Sequence, residues 1–368
     1  MSLQVKIIED QKGMQDFLEL PHRLYRIDDQ WIPPLQSEVR RTLDVSKNPY
    51  FEGCDLQKFV CYDGSEPVAR AISVINPRHW KKFGCKTAFF GFFESENDNH
   101  VTATLFDAVS EHCRRQGATH LEGPFNPNHY SELGLLVENF TQPVFFETYN
   151  PPWYQVLLKN AGFETLCRLH TRRNLDLRGY MAEHPPRVMT PEQTRGYTMR
   201  PFNLLRWKYD LECIREVFNE AFAENWHFLP LSRREYDFSA GGMFLVSRPN
   251  LNWIVEYQGK PVGVMECVMN INPLLKTLNG KLQPADLLRL WRQRSAIREI
   301  VIYAVGIKKS YHQGPVFRML HTAMGQIAQR YPVVYGTWMT EENVTATNAT
   351  GIIGMEPYKW FEIFEKPL

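Results

Sequence analysis

Residues 59–76, FVCYDGSEPVARAISVIN, and residues 253–270, WIVEYQGKPVGVMECVMN, are one pattern written twice at an offset of 194, with Pro67-Val68 falling on Pro261-Val262. Each copy is two β-branched and aromatic runs around a short Gly-containing turn, the signature of a β-hairpin. A repeated hairpin implies a repeated fold. Two further stretches correspond near the ends of the halves. YNPPWYQVLLKNAGF and ENVTATNATGIIGM place Asn150 on Asn343 and Gly162 on Gly354. The 368-residue length exceeds what one core usually holds, which also favours two domains. Between the halves, residues 178–196 are polar and proline-punctuated (AEHPPRVMTPEQTRG) and read as a linker. The expected division is therefore 1–177, a linker at 178–196, and 197–368.

Each half orders its elements alike. Val5 to Glu9 reads as a strand, Met14 to Tyr25 as a helix, the hairpin follows, and Lys86 to Glu94 (KTAFFGFFE) forms a central strand. His100 to Gln116 is a helix ended by Gly117, and Trp153 to Ala161 is another, closed by Gly162. In the second half YTMRPF is a strand and Leu211 to Ala223 a helix. Glu299 to Arg330 then holds a β-branched strand, a polar loop and a helix whose apolar residues run from Val316 to Ala328 at 3.6 spacing. A loop ending at a helix N-terminus offers unpaired N–H groups and a positive dipole end, a seat for phosphate oxygens. Every strand-loop-helix junction shares that property.

A net charge of +1 supplies no broad field for nucleic acid or an anionic membrane. Seven scattered cysteines, none in a C-x-x-C pair, argue against a disulfide framework and a zinc site, and no metal is expected. Nothing in MSLQVKIIEDQKGMQ resembles an export signal, and no apolar run is long enough to span a bilayer, so a cytoplasmic protein without a transmembrane segment is expected. Residues 271–297 are inserted in the second half. Leu282, Leu287, Leu288, Leu290 and Trp291 stand there against Arg289, Arg292 and Arg294, an amphipathic helix that serves as plain packing, a lid, a dimer face or a shallow membrane contact.

The element order resembles the GNAT superfamily of acyl-CoA-dependent N-acyltransferases. YQVLLKNAGF is similar to its late helix and REIVIYAV to its central strand. AFFGFFE, LEGPFNPN, GLLVENF, YNPPWY and FEKPL are similar to a bacterial family of tandem GNAT-like proteins. The resemblance covers nearly the whole chain. It implies an α/β (α+β) protein of two tandem GNAT-like folds, each a mixed, mainly antiparallel sheet flanked by helices.

It also implies acetyl-CoA or a longer acyl-CoA as donor and a small-molecule or lipid-like amine as acceptor. By the resemblance, the free-backbone stretch that holds the pantetheine arm is Val305, Gly306 and Ile307. The pyrophosphate loop takes in Gln313, Gly314 and Val316, with Asn343 nearby. The loop departs from the family pattern, since Tyr-His-Gln-Gly-Pro-Val replaces Arg/Gln-x-x-Gly-x-Gly/Ala and Pro315 lacks an N–H. The corresponding stretch of the first half, SENDNHV, is acidic and without glycine, which directs CoA to the second half.

Glu299 occupies the position of some family members' catalytic glutamate; Thr350 stands where the family usually has its leaving-group tyrosine, and Tyr303, Tyr311 and His312 are substitutes. The first half offers a candidate substrate surface of Glu94, Asn126, Asn128, Tyr149, Asn150 and Tyr154 in proline-rich loops. Turn building explains the same Asn and Pro residues. Two classes stay open: an acyltransferase acting from the second domain, and a GNAT-derived binding protein with a pocket between its halves.

Overall fold

The computed structural model describes residues 2–243 and 246–368. Contacts divide the chain into two units, each discontinuous in sequence. The first runs to His170 and adds Asn272–Asp286 and Lys359–Leu368; the second is Thr171–Ile271 with Leu287–Tyr358. The composition led to two continuous halves, whereas part of the second-half insertion and the strand after Tyr358 are packed into the first unit.

In the first unit the sheet order is Leu3–Ile7, Asp55–Asp63, Glu66–Ile75, Thr87–Ser95, His120–Gly123 and then the C-terminal strand, paired from Phe364↔Gly123 to Pro367↔His120. All neighbours are antiparallel except Thr87–Ser95 with His120–Gly123. Helix Asn99–Arg115 starts where the Asp98 carboxylate accepts from the His100 and Val101 N–H groups. It buries Val101, Leu105, Phe106, Val109 and Cys113 against Phe59, Phe90 and Phe93 of the sheet. Helix Gln11–Leu24 is capped by Asp10 and sinks Phe17, Leu18 and Leu20.

The second unit repeats the plan: Tyr197–Pro201, Asn252–Tyr257, Lys260–Met269, Glu299–Ile307, Val333–Gly336 and the end of strand Glu164–Asn174. Its parallel pair is again the central strand with the one after the long helix. Helix Val316–Ala328 buries Val316, Leu320, Ala323, Met324 and Ile327 in the same core as Val255, Val262 and Cys267. The hairpins agree in detail. Their register shifts fall between Cys61 and Tyr62 and between Val255 and Glu256, the same place at the offset of 194. The expected fold class, helices flanking a mixed and mainly antiparallel sheet in tandem, is thus what the chain forms.

Within residues 178–196 the chain is not all irregular. Helix Leu177–Glu183, capped by Asp176, buries Leu177 and Met181 in the second unit's core. Two apolar residues four apart are too short a signal to separate from the polar run that follows. Helices Gln36–Thr42, Pro77–Phe83, Arg233–Met243 and Asn272–Leu278 were likewise not evident from periodicity.

Candidate functional site

Each unit has a place where its parallel strand pair parts. In the second unit the ladder runs from Glu299↔Val333 to Ile302↔Gly336 and ends there. Thr337 follows the central strand one step further, its N–H donating to Ile302 O at 3.2 Å and its hydroxyl to Tyr303 O at 3.1 Å. On the opposite edge the register shifts between Glu266 and Cys267, so that Tyr303 is the extra residue of a bulge. Lys308 N–H donates to Val262 O. Because backbone groups alternate along an antiparallel edge, those of Val305 and Ile307 point the other way, towards the gap. His312 Nε2 donates to Ile307 O at 2.9 Å, consistent with that direction.

The loop after this strand is partly spent on itself. Gly314 N–H donates to Tyr311 O, and Tyr311 packs with Tyr197 and Tyr257. Val316 is fully buried beside Gly263, where a Cβ would approach Val316 Cγ1 to 2.3 Å. No side chain caps the helix at Pro315. Lys308 pairs with Glu216 and Glu220, and Lys309 with Glu224. Asn343 caps helix Val344–Gly351 by accepting from Ala346 N–H.

In the first unit the corresponding gap is filled from within. The parallel ladder ends at Phe89↔Glu122, and the short strand Phe125–Asn126 then crosses the central strand. A Cβ on Gly91 would stand 1.7 Å from Phe125 O, and Asn126 Oδ1 accepts from Phe92 N–H at 2.7 Å. Asn128 closes a turn onto Tyr130 N–H and the Ser131 hydroxyl. Asn150 braces Leu136 through both its N–H and its carbonyl. Glu94 and Tyr154 are brought together: the Tyr154 hydroxyl donates to Glu94 Oε2 at 2.9 Å and accepts from Ser95 N–H. Tyr25 donates to the same oxygen at 2.7 Å, and Arg70 lies 3.5 Å from Oε1. Tyr149 donates to Asp28 instead. Burial pushes the Glu94 carboxyl up, opposed by Arg70 and the two hydroxyls.

The second unit carries a carboxylate of another kind. Glu266, on the strand beside the bulge, accepts from the Tyr236 hydroxyl at 2.9 Å through Oε1. Its Oε2 is out of solvent contact and has no hydrogen-bond partner among the described residues. Burial raises its pKa to about 7, with the Tyr236 hydrogen bond pulling the other way. Burial followed by the Glu266 charge raises Tyr303 as well, so these two side chains feel one another. Glu299 sits elsewhere, four residues or about 13 Å back along the strand. There it accepts from Asn270 Nδ2 at 2.7 Å. Tyr303 is therefore grouped with Glu266 and not with Glu299. A signal for Glu266 did exist. It is the one charge inside VGVMECVM, and the position 194 earlier is Ile72.

Among the described residues no cluster of His, Cys, Asp or Glu is arranged to hold a metal ion. No protein-family model matches the chain. It is 28% identical to "Protein YghO" of Escherichia coli (strain K12), over 99% of this chain and 95% of that one. It is also 28% identical to "Bacterial ceramide synthase" of Caulobacter vibrioides, over 96% and 95%. Among solved structures it is similar to a tandem GNAT protein from the clavulanic acid biosynthesis pathway, with a TM-score of 0.60, 12% identity, and coverage of 100% of this chain and 98% of that chain. A GCN5-related N-acetyltransferase from Sphaerobacter thermophilus gives a TM-score of 0.55 at 13% identity, over 99% and 95%. Repeated hairpins, repeated bulges and these full-length likenesses agree: the chain is a tandem protein of the GNAT fold.

Proposed function

We propose that this protein is an acyl-CoA-dependent N-acyltransferase whose second unit transfers an acyl group to a lipid-like amine, with Glu266 as general base. The observation that carries the reading is a carboxylate with a pKa of about 7 and one unpartnered oxygen, beside the bulge where the parallel strands part. A base near the working pH combines a substantial ionised fraction with real proton affinity. The acceptor class draws on the relative named a bacterial ceramide synthase, since a ceramide is an N-acylated long-chain amino alcohol.

An acyl-CoA supplies the activated thioester. The gap-facing backbone of Val305 and the N–H of Ile307 suit its pantetheine amides, the Ile307 carbonyl being taken by His312, and the helix N-terminus at Val316 gives a diphosphate a positive dipole end. The fit at the diphosphate is spare, because Pro315 has no N–H and that of Gly314 is already used. Tyr236 holds Glu266 Oε1, which leaves Oε2 to take the proton released as the amine nitrogen bonds to the acyl carbon. The C–S bond breaks, and in this reading the Tyr303 hydroxyl gives a proton to the departing sulfur and regains one from Glu266.

The reading is tested by incubating the protein with octanoyl- or palmitoyl-CoA and a long-chain amine, following free thiol and amide together. Glu266→Gln is expected to lower turnover by about 100-fold or more with little change in KM for the acyl-CoA. The inflection near pH 7 in the wild-type kcat/KM profile should vanish with it. Loss of turnover in Glu299→Gln with Glu266→Gln unaffected would move the base to the strand's start. Absence of thiol release from any acyl-CoA, with no thermal shift on adding it, would favour the ligand-binding alternative that the spent loop suggests.

A further inference from the structure

Two exposed segments of the second unit share one side-chain pattern. Residues 204–208 read Leu-Leu-Arg-Trp-Lys, and residues 287–292 read Leu-Leu-Arg-Leu-Trp-Arg. Both lie on short helical turns, Leu204–Arg206 running into Trp207–Ala221, and Pro284–Gln293. In the second, Leu290 is buried and anchors the helix, while Leu287, Leu288 and Trp291 face solvent, Trp291 at 57% exposure. In the first, Leu205 is 94% exposed and Leu204 and Trp207 about half exposed. Nothing in core packing calls for such side chains outside.

The charges interleaved with them are of one sign, with Asp286 and Asp210 standing just outside the two stretches. Between 287 and 298 there are four arginines and no acid; between 204 and 209 there are Arg206 and Lys208 and no acid. Cations stand over the aromatic rings, Lys208 Nζ 5.8 Å from the Trp207 ring centre, Arg294 5.6 Å from that of Trp291 and Arg206 5.0 Å from that of Tyr209. No helix among the described residues is long and apolar enough to cross a membrane.

We infer that these two segments seat the protein on the surface of a bilayer containing anionic lipid. The leucines enter the acyl boundary, the indoles lie at headgroup depth, and the arginines and Lys208 meet lipid phosphates. A protein partner would be matched by a groove, whereas these apolar residues protrude and the exposed charges interleaved with them are cationic. Both segments belong to the second unit, and each supplies its own apolar anchor and cations. The inference stands on these side chains whether or not the chain is an acyltransferase.

Co-sedimentation of the full chain with phosphatidylcholine vesicles, with and without about 30 mol % phosphatidylglycerol, tests it. Binding is expected to the anionic vesicles and to weaken as salt rises. Leu287→Ser with Leu288→Ser and Trp291→Ser, and separately Leu204→Ser with Leu205→Ser and Trp207→Ser, should each lower the partition coefficient by about tenfold or more. Both sets alter exposed residues, and circular dichroism verifies that folding is kept. Arg292→Glu with Lys208→Glu should reduce binding to anionic vesicles alone. Wild-type protein that stays in the supernatant, or serine variants that bind as well as wild type, would overturn the inference. So would a dimer in solution that the serine variants dissociate, since the patches would then cover one another.

Discussion

Glu94 and Glu266 are both held away from water on their strands, and they differ in what neutralises them. Glu94 has Arg70, Tyr25 and Tyr154 around it, and its charge is matched where it stands. Removing Arg70 leaves that carboxylate uncompensated, so Arg70→Met should cost about 3–5 kcal/mol in urea unfolding. Glu266 has one hydroxyl and a free oxygen, and it bears the cost of its own burial. Its folded pKa, about 7, lies above the ordinary 4.5, so the folded state holds the proton more tightly. That contribution is complete below pH 4.5 and is lost as pH rises through 7. Wild type should therefore lose up to about 3 kcal/mol relative to Glu266→Gln between those limits, measured by urea melts at pH 5 and pH 8. Stability that is independent of pH in the difference would show that water reaches the carboxylate. Sequence singled out Glu94, at the end of an aromatic strand. It passed over Glu266, whose partner Tyr236 is thirty residues away along the chain and unpredictable from spacing.

The hairpins were readable because their chemistry is local: alternation, a turn and an offset. The parting of the parallel strands was expected only through the family resemblance, as a free-backbone stretch at Val305 to Ile307, and the bulge at Tyr303 was not foreseen, because a bulge has no composition of its own. The insertion of Phe125–Asn126 into the first unit's gap was not foreseen, although Asn126 had been marked for a ligand. Its side chain serves the central strand's own N–H at Phe92, as a bound amide would. Gly91 is what permits the approach. Gly91→Ala places a methyl 1.7 Å from a backbone oxygen, so the inserted strand must be displaced. A loss of about 3 kcal/mol or more is expected in the first unit's unfolding, measured by urea melts. Unchanged stability would mean the insertion gives way easily.

The domain boundary was the least accessible to sequence, since nothing local tells a strand which sheet it will join. Phe361, Ile363 and Phe364 are buried in the first unit, and Lys359 is fully enclosed there with Glu147 and the carbonyls of Thr141 and Gln142. Deleting 359–368 should destabilise the first unit by on the order of 5 kcal/mol or more, seen as protease cleavage before residue 170 while 171–358 persists. Cleavage confined to the second unit would contradict the division. The discontinuity also sets an order of events on the ribosome. Residues 171–358 must be made before the C-terminal strand that pairs with His120–Gly123 exists. At about 5–20 residues per second that is a delay of roughly 10–40 s. The nascent chain thus carries an unfinished N-terminal sheet with an open edge beside His120–Gly123 while the later unit already has all its parts. Chaperones that shield exposed strand edges would be needed at the start of this chain rather than at its end.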